Sequence, residues 1–107
     1  MDLKELEIFG RDLIKVIDKK KPHNSGAMIS FLKIAEELGE TAQIIVKLEG
    51  VERKRKYLPN ENLIEDLGSE IADILIVLSA LAARYNIDLD KVLSAKIELE
   101  KERWKNE

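Results

Sequence analysis

The sequence predicts an all-α fold: a four-helix antiparallel bundle that assembles into a homodimer or higher oligomer. Three observations predict it. Apolar residues recur at steps of three and four through most of the chain, the period of an amphipathic helix. Breakers are scarce, with 2 Pro and 5 Gly in 107 residues, which disfavours a many-stranded sheet. Short connections separate the long periodic segments, and short connections favour antiparallel neighbours. The length fits one domain, residues 1–107, because two cores would each be too small to stand well alone.

The first helix is expected from about Leu3 to Asp18, with Leu3, Leu6, Phe9 or Gly10, Leu13, Val16 and Ile17 on one face. Lys19, Lys20, Lys21 and Pro22 end it, since basic residues suit a helix C-terminus and Pro cannot continue the ladder. A polar connection around His23 leads to the second helix, about Ala27 to Leu48, with Gly50 placed for a left-handed cap. A basic loop carries Arg53, Lys54, Arg55 and Lys56. The third helix starts at Asn60 or Asn62 and runs to about Tyr85, with Gly68 and Ser69 as a local weak point. Asp88 is placed to cap the fourth helix, about Leu89 to Trp104. From Ile71 to Ala83 the third helix is apolar on nearly every face. Such a helix is central or meets a second chain, and in a bundle this small the second option is preferred.

Composition excludes several kinds of chemistry. Hydrophobic residues at 45% and charged residues at 36% describe a globular chain. With 0 Cys there is no disulfide framework, thiolate metal site or cysteine nucleophile, and 1 His weakens imidazole-based catalysis. A net charge of −3 argues against nucleic acid as the main partner. The longest apolar stretch, Ile74 to Ala83, falls well short of the roughly 20 residues of a membrane span, and the N-terminus does not resemble a signal peptide. A cytoplasmic protein is expected.

Two places break the apolar pattern alike. Glu37 and Glu40 lie three residues apart on the second helix, as do Glu70 and Asp73 on the third. That spacing places both carboxylates of a pair on one helix face, so each pair can converge on one cation. Asp73 sits inside the apolar run, where an ionised carboxylate without a partner costs several kcal/mol. A bound cation is the economical compensation. Oxygen-only ligands select a hard ion, Mg²⁺ before Ca²⁺, with Mn²⁺ as a substitute. Other readings stay open: Glu36, Glu37 and Glu40 also suit a solvated face, and Asp73 can be a core residue paired with Lys or Arg. A di-iron site fails for want of two Glu-x-x-His motifs.

The segment Lys33-Ile34-Ala35-Glu36-Glu37-Leu38-Gly39-Glu40, followed by Glu70-Ile71-Ala72-Asp73-Ile74-Leu75, resembles the MazG-like all-α nucleoside triphosphate pyrophosphohydrolases. Asn86-Ile87-Asp88-Leu89 and the helix with Lys96 are similar to the last element of that family, so the resemblance spans roughly residues 30–103. It implies a Mg²⁺-dependent enzyme that cleaves an NTP or dNTP to the monophosphate and pyrophosphate, in house-cleaning of the nucleotide pool. It implies Glu37, Glu40, Glu70 and Asp73 as metal ligands, with Glu36 as an added acidic position that can hold a water or act as base. Lys96 is the first choice for holding phosphates and Arg103 a weaker one, while Tyr57 and Phe31 are candidates beside the base by location only. The chain departs from the family in its long stretch between Glu40 and Glu70 and in Glu100, which stands where Asn is expected. Two alternatives remain: a phosphoribosyl-ATP pyrophosphohydrolase of histidine biosynthesis, and a non-catalytic helical dimerisation module.

Overall fold

A computed structural model of the chain describes residues 1–20, 26–50 and 62–105. Its four helices are α1 (Leu3–Lys20), α2 (Gly26–Leu48), α3 (Leu63–Arg84) and α4 (Leu89–Lys105), and no strand occurs among the described residues. Lys21, Pro22, His23, the basic run 53–56, Tyr57 and Asn60 lie outside them.

Local chemistry sets the helix ends. The Asp2 carboxylate accepts the Glu5 N–H at 2.9 Å, satisfying one of the free donors of the first turn of α1. Lys19 and Lys20 carry α1 slightly beyond Asp18 and complement its negative end. Gly50 adopts φ +63 just past α2, the left-handed cap expected of it. Asn62 stands at the start of α3 without a side-chain cap, and Gly68 and Ser69 do not interrupt that helix. Its far end closes with Asn86 at φ 53, while the Ile87 and Asn86 N–H groups donate to the Ala82 and Ala83 carbonyls at 3.0 and 3.2 Å. This pair of bonds is a Schellman closure, with Asn tolerating the left-handed position. Asp88 then caps α4 through the Lys91 N–H at 3.1 Å.

The central element is α3, against which both α1 and α2 pack extensively. Its apolar run is therefore explained in part within one chain. The crossing with α1 is built from small residues: a Cβ on Gly10 would meet the Ser79 backbone C and O at 2.8 Å. Ser79 is 1% exposed, and its hydroxyl donates to the Ile76 carbonyl. Against α2 the helix runs antiparallel, since Glu37 meets Glu70 and Asp73 at one end and Phe31 lies with Leu81 and Tyr85 at the other. Arg84 ties three ends together. Its guanidinium donates two bonds to Asp18, at 2.9 and 3.2 Å, and lies over Gly26 at the start of α2.

The position of α4 is different. Its main neighbour is α1, which it touches only over a small area, and none of its residues is buried. The buried Glu7 carboxylate accepts the Asp90 N–H at 3.0 Å and so anchors the first turn of α4 to α1. Beyond that anchor α4 projects as an arm. Among the described residues the buried apolar set is only Ala80 and Ala82, and Ile71, Leu75 and Leu78 of α3 remain exposed.

Candidate metal centre

The site arises where the middle of α2 faces the first half of α3. One carboxylate oxygen each from Glu37, Glu70 and Asp73 lies within 4.8 Å of the other two. Glu70 and Asp73 share a face because they are one turn apart on α3, and the antiparallel packing delivers Glu37 to them. Glu37 is 4% exposed. Its Oε2 and the Oε2 of Glu70 are buried without a hydrogen-bond partner. Native interiors rarely leave such atoms unpaired, and together with the gathered carboxylates they make a place that could hold a cation.

The electrostatics agree. Glu70 is pushed up to about 7, first by the close approach of the Glu37 carboxylate, then by burial and by the charges of Glu37 and Glu40. Glu37 is held below the usual carboxylate range by the same Glu70 contact and by Lys33. Two carboxylates this close share a proton unless a cation intervenes. The donor set is all oxygen, which fits a hard divalent ion.

The sequence-derived candidates divide. Glu37, Glu70 and Asp73 come together. Asp73, however, is exposed, so the cost of burying its charge does not apply; α3 turns that position outward at the rim of the site. Glu40 is exposed and lies outside the close triad, although its charge reaches Glu37 and Glu70. Glu36 is exposed, with Lys33 at 3.6 Å. Arg84, the nearest cation in sequence to Asp73, is engaged with Asp18 instead.

The α4 candidates are placed elsewhere. Lys96 borders an apolar groove with Ile87, Val92 and Leu99, to which α2 contributes nothing. Arg103 pairs with Glu100 at 2.9 Å on an exposed helix surface. Phe31 is 60% exposed in an apolar groove with Met28, Leu81 and Tyr85. It stands six residues before Glu37, or about 9 Å along α2 and about 120° around it. Neither phosphate nor base contacts of the expected kind are assembled at the triad by these residues.

One residue at the site escaped the sequence reading. Lys33 places Nζ 3.1 Å from Glu37 Oε1, with its side chain 49% exposed. The signal was present, a Lys four residues before a Glu on one helix face. Taken for context within the motif, it is instead a cation that touches the cluster. It neutralises one oxygen of Glu37 and leaves the other bare.

None of the described helices is long and apolar enough to cross a membrane. Compared with known proteins, the chain matches no family model, no curated protein and no solved structure, so the resemblance of its paired acidic motifs rests on those residues themselves.

Proposed function

We propose that the chain is a Mg²⁺-dependent hydrolase that cleaves nucleoside triphosphates, ribo or deoxy, between the α and β phosphates, releasing monophosphate and pyrophosphate. One observation carries the reading. Three carboxylates from two facing helices converge, and the buried one keeps an oxygen with no partner.

Glu37, Glu70 and Asp73 would hold the ion, with Glu40 at the edge and Mn²⁺ as the substitute. When bound, a divalent ion neutralises phosphate charge, polarises phosphorus and lowers the pKa of an attacking water. The chain's own residues prepare that site. Lys33 keeps Glu37 ionised and is placed, half exposed, to meet a phosphate oxygen. Glu70 holds a proton up to about pH 7 and gives it up when the site fills. Glu36 contributes through Lys33. The reading needs no imidazole acid, because pyrophosphate is a competent leaving group once its charge is neutralised.

The test is a panel of common NTPs and dNTPs, with phosphoribosyl-ATP included, incubated with Mg²⁺ and assayed for pyrophosphate. At least one nucleotide should release it. Glu37→Gln and Asp73→Asn should lower turnover by about two orders of magnitude or more while helical circular dichroism is retained. Folded protein that releases pyrophosphate from none of them overturns the reading.

A further inference from the structure

On α2 a single lysine serves two neighbouring glutamates. Lys33 Nζ lies 3.1 Å from Glu37 Oε1 and 3.6 Å from Glu36 Oε1. Helix stability does not account for the arrangement. A Lys one turn before a Glu is the weaker order of that pair on a helix, and exposed ion pairs contribute little. What sets the contact with Glu37 apart is its asymmetry: the lysine side chain is 49% exposed and the Glu37 side chain 5%. A cation at the rim thus reaches one oxygen of a buried carboxylate. The other oxygen, Oε2, is buried with no hydrogen-bond partner, while Glu70 and Asp73 stand close to the same carboxylate.

The two oxygens of Glu37 are therefore unequal. A carboxylate with both oxygens free can grip an ion with both. With one oxygen held by an ammonium group, it presents a single donor. Ca²⁺ collects about six to eight oxygens and often takes both from one carboxylate, whereas Mg²⁺ demands a near-ideal octahedron and keeps several positions for water. Glu37, Glu70 and Asp73 gather one close oxygen each. Three single donors leave the water positions that Mg²⁺ prefers and fall well short of a Ca²⁺ shell.

We infer that Lys33 selects the ion: by holding Glu37 Oε1 it keeps Glu37 a one-oxygen ligand and biases the cluster toward Mg²⁺ over Ca²⁺. In this role it is a positioning residue that acts through Glu37, as partners of metal ligands generally orient them. The inference rests on the cation-binding part of the function proposed above and not on the hydrolysis. Lys33 also brings a positive charge, whose loss strengthens the binding of any divalent cation. That effect is alike for two ions of equal charge, so the ratio of their affinities isolates the geometric role.

The test is calorimetric titration of the full chain with MgCl₂ and with CaCl₂, without nucleotide, checked by the shift of Tm with each ion. Lys33→Met keeps the reach of the side chain and removes its charge. It should move the ratio of the two dissociation constants toward Ca²⁺ by about tenfold. Lys33→Arg, which keeps a cation on Oε1, should hold the wild-type ratio. Lys33 is half exposed, so both variants should retain helical circular dichroism. Lys101→Met removes the same charge from α4, where Lys101 pairs with Glu98, and should change neither constant. A ratio in Lys33→Met that is unchanged, or that moves toward Mg²⁺, overturns the role of Lys33 and leaves the metal centre standing. A wild type that binds neither ion overturns the centre and this inference together. The readout is independent of nucleotide turnover, which separates it from the hydrolytic reading.

Discussion

At the scale of single residues, Glu70 sets the pH behaviour of the metal-free protein. Its folded-state value of about 7 lies above the ordinary 4.5 because Glu37 and Glu40 stand beside it. Between those values the folded chain holds a proton that the unfolded chain has released, so stability falls as pH rises from about 4.5 to about 7. Glu37 acts in the opposite sense: its contribution is present above the ordinary carboxylate value and is lost as pH falls below it. With EDTA present, the midpoint of urea unfolding should therefore be lower at pH 8 than at pH 5.5, and Glu70→Gln should flatten the difference. A midpoint that climbs over this interval would show that the three carboxylates are not gathered. The spacing of the acidic residues disclosed which side chains could meet. It did not disclose that Asp73 faces outward, because one Asp among apolar neighbours reads the same whether α3 turns it toward the core or the rim. The service of Lys33 to Glu37 was open to a charge count along α2, yet its weight comes from the orphaned oxygen beside it, which only packing creates.

At the scale of elements, helix type and extent followed from period, caps and breakers: α4 begins where Asp88 caps it and α2 ends just before Gly50. The contacts between helices did not follow so directly. Gly10 is one of two candidates for a face position in the sequence, but it is the point where α1 lies directly on the Ser79 backbone. Backbone cannot swing aside as a side chain can, so Gly10→Ala should force the helices apart. We expect a loss of about 1–3 kcal/mol, read from urea denaturation. A variant at least as stable as wild type, as helix propensity alone would favour, would show the crossing to be loose. Glu7 makes the same point. A lone Glu on an amphipathic helix reads as solvated, yet Glu7 is buried and holds the first turn of α4 across 83 residues of sequence separation.

At the scale of the whole molecule, a cation held by the cluster would link binding to the stability of the fold. Converging carboxylates destabilise the empty site, and an ion bound only by the folded chain stabilises it by mass action. Mg²⁺ at a hundredfold above its dissociation constant should add about 2.7 kcal/mol, a rise in Tm on the order of 10 °C for a chain of this size. A Tm indifferent to millimolar Mg²⁺ would count against the centre as a metal site. The sequence by itself determined the all-α class, the four helices, the absence of thiol chemistry and the acidic residues available to a cation, because each depends on residue type and on periods of a few residues. Only the tertiary structure decided which carboxylates converge, that Lys33 lies beside Glu37, and that α4 rests lightly on α1 with Val92 and Leu99 exposed. Those outcomes depend on the angles at which helices cross and on which small residues let them approach, and side chains far apart along the chain fix both.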